Sequence, residues 1–115
     1  MRLNSKIIFF LLLIFSNPSF LHAGDLLLGK EKAATVCSAW HGMDGQAASG
    51  GNSSLTPNIT AQEKEYLLAK LKDYRSGKIN HPQMSLIAQM LSDEDIENVS
   101  EWYSKIKISI KLPLE

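Results

Sequence analysis

The chain has 115 residues, with 12 Lys and Arg against 12 Asp and Glu, so its formal net charge is zero. That balance argues against the clustered basic face a nucleic-acid binder needs, and a single cysteine excludes an internal disulfide. The length suits one domain with a small core.

Arg2 and Lys6 open the chain, and Ile7 to Phe15 follow as an unbroken apolar run. Asn17 and Pro18 interrupt it, and Leu21, His22 and Ala23 precede Gly24. This order of basic start, apolar run and small residue is that of a secretory signal peptide. As a helix the run rises only ~14 Å, too little for a hydrocarbon core of ~30 Å. Export is therefore expected, with residues 1–23 removed after about Ala23. Losing Arg2 and Lys6 leaves 10 basic residues against 12 acidic ones, a formal charge of −2.

From Asp25 to Cys37 the residues predict a helix, with Asp25 as its cap and Gly29 as a weak point in its centre. Gly42 to Asn58 is rich in glycine and serine and reads as a loop, long for so small a domain. Thr60 and Glu63 read as a capping box. Tyr66, Leu67, Leu71 and Tyr74 then recur at helical spacing, and Gly77 supplies a stop. Pro82 makes Lys78 to Gln83 a turn. Met84 to Leu91 reads as a short helix. Ser92 and Asp95 are a second capping box, opening a helix whose apolar face is Ile96, Val99, Trp102, Tyr103 and Ile106. Acids crowd its first turn, and lysines are expected in its last. From Lys105 to Glu115 Ile and Leu alternate with Lys and Ser, a period that suits a strand, a frayed tail or a surface extension.

The chemistry concentrates at Val36 to Gly42, VCSAWHG. A cysteine at position 40 would complete C-x-x-C-H, the attachment motif of c-type haem, but Trp40 stands there. Cys37 alone reads as a small buried hydrophobe, His41 alone as a surface or capping residue, and Met84 alone as core filler. Together they say more. Cys37 and His41 are four apart and share a helix face, which suits covalent capture and axial ligation of one flat cofactor. Downstream, Met84 offers a soft thioether of the kind that pairs with imidazole on electron-transfer haem iron.

The chain resembles the small bacterial class I cytochromes c, including the halves of fused two-haem proteins. The resemblance runs from "AGD…GK…VCSAWHG" through "P.IT.Q…YLLAKLKDYRSGK" to "M…..MLSDEDIENVSEWYS", about Gly24 to Ser104. It implies an all-α fold of about four helices around one haem c, in a cytochrome c domain over 24–104 with a tail at 105–115. It implies a periplasmic electron carrier rather than an enzyme. The implied partners are redox proteins, either membrane respiratory complexes or a terminal reductase or oxidase. By position, Cys37 forms a thioether, His41 is the proximal ligand and the Pro57 carbonyl orients His41. Met84 is the distal ligand. Met90 competes for that role, but the family spacing of eight residues before the capping serine, here Ser92, selects Met84. Trp40 falls at the haem edge in place of the second cysteine, so only one thioether can form. Ala61 replaces a usual glycine.

Two other readings follow from Trp40 and the lone thiol. One is a degenerate cytochrome domain that does not hold haem stably and serves at most as a binding module. The other is a thiol protein acting through Cys37, with no neighbour but His41 to lower the thiol pKa.

Overall fold

The computed structural model describes residues 23–48 and 54–114. The expected signal segment lies outside the described residues apart from Ala23, and so does the centre of the Gly/Ser-rich loop. Helix α1, Leu26–Lys32, runs directly into a π-helical turn, Ala33–Cys37, and then into α2, Ser38–His41. α3 spans Lys64–Ser76, α4 Met84–Gln89 and α5 Asp93–Ser104. Counting α1 to α2 as one rod, the fold is all-α with four helical bodies, and there is no strand among the described residues. None of these helices is long and apolar enough to cross a membrane.

Asp25 caps α1, its Oδ1 accepting from the amides of Leu27 at 2.8 Å and Leu28 at 3.0 Å. Its own amide donates to Asn98 Oδ1 at 2.7 Å, which ties the start of α1 to α5. Among the described residues, these two helices pack together more extensively than any other pair. Gly29 is what lets them meet. A Cβ there would stand 2.1 Å from the Asn98 carbonyl oxygen. The residue that weakens the isolated helix is therefore the one its packing requires. A Lys32–Asp95 ion pair at 3.1 Å closes the same crossing.

α5 carries the core face expected of it. Ser92 and Asp95 complete a reciprocal capping box, and Ile96, Val99 and Tyr103 are buried. Tyr103 joins Ala33 and Leu67 in a core cluster, with Cys37, Met43, Ile59, Trp102 and Ile106 packed around it. The expected lysines of the last turn are not there: α5 ends at Ser104, and Lys105 follows as its cap. Ser100 is 1% exposed and its Oγ has no hydrogen-bond partner among the described residues. A buried unpaired hydroxyl costs roughly 1–3 kcal/mol. Ser100→Ala is therefore expected to raise stability by about 1 kcal/mol, read as a higher midpoint in urea unfolding at an unchanged slope.

The capping box expected at Thr60 and Glu63 is not formed. α3 begins at Lys64, and Glu63 at its cap position makes no side-chain bond. Thr60 Oγ1 instead donates to the Asp44 carbonyl, and the Ala61 amide donates to the Tyr103 carbonyl at 3.0 Å. Ala61 has φ +54°, a left-handed conformation that costs a side-chain-bearing residue roughly 1–2 kcal/mol. The chain is turning there rather than entering a helix, which gives the replaced glycine of the resemblance a physical role. Lys64 fastens α3 to α5 through Glu97 at 3.2 Å and Glu101 at 3.0 Å. Tyr66 is exposed, with the Lys70 ammonium 5.6 Å from its ring centroid. Gly77, at φ +78°, ends α3 as its sequence position suggests. Beyond Lys105 the chain forms no strand, and Ile108, Ile110 and Leu112 are exposed.

Candidate functional site

The π-helical turn inserts an extra residue into the helix just before the reactive stretch, a device often found at functional sites. It ends at Cys37, and α2 then carries Trp40 and His41. His41 is 8% exposed, and its Nδ1 lies 3.1 Å from the Pro57 carbonyl oxygen. A carbonyl only accepts, so this bond places the ring proton on Nδ1 and leaves the Nε2 lone pair for a metal. Burial lowers the imidazole pKa, and the bond to Pro57 partly offsets it. The ring is therefore neutral at physiological pH, the form in which imidazole ligates.

The loop delivers Pro57 by local bonds. The Ile59 amide donates to the Gly45 carbonyl at 2.8 Å and the Ala47 amide to Asn58 Oδ1 at 2.9 Å. From α5, Tyr103 donates its hydroxyl to the Gly42 carbonyl at 2.9 Å. Trp102 Nε1 donates to the Met43 carbonyl at 3.1 Å. The backbone leaving His41 is thus held by two aromatic side chains read from sequence as plain packing. The available signal was that a buried Tyr or Trp has to find a partner for its polar end.

Cys37 is partly buried one turn before His41. Burial pushes its thiol pKa up to about 11, although Lys32 pulls the other way. A neighbour that lowers the thiol pKa therefore exists, contrary to expectation, but burial outweighs it. A thiol protonated at neutral pH is a poor nucleophile, which counts against a thiol-redox role. Trp40 is 39% exposed. Met84 is the first residue of α4 and is partly buried, whereas Met90, just past the end of α4, is 70% exposed. Met43 packs on the core. α4 packs on α3, while α2 packs on the π-helical turn, so His41 and Met84 sit on separate packing units.

Among the described residues no three His, Cys, Asp or Glu side chains converge to hold a metal ion. The donor set present is of another kind: one oriented imidazole, one thiol a helical turn away and a thioether on a different element. By its chemistry, imidazole with thiol and thioether, that donor set suits haem iron better than a carboxylate-bound ion.

Cytochrome c-554(548) of Halomonas halodenitrificans is 42% identical to this chain over 85 residues, which cover 71% of the chain and 96% of the relative. The chain belongs to the class I cytochromes c. Cytochrome c4 of Pseudomonas aeruginosa is 32% identical over 107 residues, 92% of the chain and 51% of the relative. The thiosulfate dehydrogenase electron acceptor of Stutzerimonas stutzeri is 36% identical over 74 residues, 63% of the chain and 32% of the relative. The chain thus spans nearly all of the first of these cytochromes and about half the length of the cytochrome c4. No family model matches it.

Proposed function

We propose that this chain is an exported periplasmic electron carrier holding one haem c, with His41 and Met84 as axial ligands and Cys37 as its single thioether. The observation that carries the reading is the buried His41, its Nδ1 bonded to Pro57 and its Nε2 available, one turn after the cysteine. When bound, the haem supplies a one-electron ferrous/ferric couple. His41 would present Nε2 to the iron, its ring orientation fixed by Pro57. Met84 would supply a thioether, a ligand that raises the reduction potential. Trp40, bulkier than a cysteine and without a thiol, would form no thioether to the haem. No substrate bond is made or broken, so the protein is not an enzyme. Its partners are redox proteins, respiratory complexes in the membrane or a terminal reductase or oxidase. The relative named as an electron acceptor of a dehydrogenase supports that class. The cytochrome domain is residues 24–104, released by cleavage after about Ala23.

The test is a set of oxidised and reduced spectra, with potentiometry, on protein exported from a host with a c-type haem maturation system. His41→Ala is expected to lose the low-spin haem spectrum. Met84→Ala should keep bound haem, lose the thioether-to-ferric-iron charge-transfer band and fall in potential. The reading fails if Met84→Ala is unchanged in both respects, or if Met90→Ala gives that result instead.

A further inference from the structure

α4 has only six residues and begins without an ordinary cap: Gln83, at the cap position, makes no side-chain capping bond. So short a helix cannot hold its own first turn. The bonds that hold it come from His81-Pro82-Gln83-Met84-Ser85. His81 Nδ1 accepts from the Gln83 amide at 3.2 Å and the Met84 amide at 3.1 Å. In return the His81 amide donates to Ser85 Oγ at 3.0 Å, and the Ser85 amide donates to the His81 carbonyl at 3.1 Å. Ser85 Oγ also donates to the Ile79 carbonyl at 3.3 Å. This is the reciprocal logic of a capping box, with an imidazole as the acceptor.

The clasp is anchored to α3. The Tyr74 ring meets the His81 ring edge-on, with centroids 5.9 Å apart and planes at 71°. The Ile79 amide donates to the Asp73 carbonyl at 3.1 Å. His81 is itself exposed, so filling the core does not explain it.

We propose that His81 and Ser85 form a clasp that positions Met84, making His81 a positioning residue for the axial thioether. The inference rests on the reading of Met84 as iron ligand. A thioether is a weak ligand, and its occupancy of the iron depends on how firmly the backbone presents it. Through the Met84 amide, His81 biases the balance between thioether bound and thioether released. Removing the acceptor shifts that balance by about three- to tenfold, the range produced by losing a helix cap.

The test titrates the ferric, haem-loaded protein with imidazole, which competes with the thioether for iron. His81→Ala should bind imidazole about three- to tenfold more tightly. His81→Asn, whose side-chain oxygen can take the same two amides, should return the affinity close to that of the unaltered protein. Amide hydrogen exchange at Gln83 and Met84 should speed up in His81→Ala and slow again in His81→Asn. Met84→Ala separates the two claims. If Met84→Ala leaves imidazole affinity unchanged, the ligand assignment is wrong and the clasp falls with it. If Met84→Ala tightens imidazole binding while His81→Ala only lowers the melting temperature, the ligand stands and the clasp is overturned.

Discussion

Gly29→Ala is expected to destabilise the protein by about 3 kcal/mol, a steric cost at the upper end for an overpacked core. In an exposed helix interior the same change stabilises by roughly 1 kcal/mol, because alanine is the better helix former. The two effects have opposite signs, and geometry decides between them. The added methyl would sit 2.1 Å from the Asn98 carbonyl oxygen, a backbone atom that no rotamer change can move aside. α1 would have to withdraw from α5, loosening the Asp25–Asn98 bond and the Lys32–Asp95 pair with it. Because α1 continues through the π-helical turn to His41, the disturbance reaches the stretch proposed to hold haem. Denaturant unfolding of the haem-loaded protein followed by circular dichroism measures the effect. A midpoint equal to or above that of the unaltered chain would show that the helices do not cross at Gly29.

Cys37→Ser is expected to abolish every haem that survives denaturation. Cys37 is the one cysteine in the chain, so no other side chain can form the thioether. The loss is all-or-none. On the proposed reading, non-covalent haem can remain in the folded variant through His41 and Met84 and leaves only when the chain unfolds. Haem staining on a denaturing gel, beside a native spectrum of the same sample, separates the two. A Cys37→Ser band that still stains would mean that another residue holds the haem.

Much of this was legible in the sequence. The Ser92–Asp95 box and the Ile96, Val99 and Tyr103 face are local patterns, and α5 formed from them as written. Gly77 ended α3 because a left-handed residue has few alternatives to glycine. What sequence misread was decided by distant partners. Thr60 and Glu63 have the spacing of a cap, but Asp44 and Tyr103 draw Thr60 and Ala61 into a turn instead. Gly29 looks like a helix defect until Asn98 is brought against it. Trp102 and Tyr103 looked apolar because their polar ends find carbonyls about sixty residues away in the chain. The alternating tail has the period of a strand but no neighbour to pair with among the described residues. His81 carries no motif at all, since its partners are backbone amides.

If haem is bound covalently through Cys37, the lone cysteine allows one thioether and no more. The alkaline pyridine spectrum of the unaltered protein decides this, because the band position reports how many vinyl groups have been consumed. One vinyl retained predicts a band red-shifted from that of a doubly linked cytochrome, with the haem staying on the chain through acid–acetone extraction. A band at the doubly linked position, or haem that extracts freely, would contradict it.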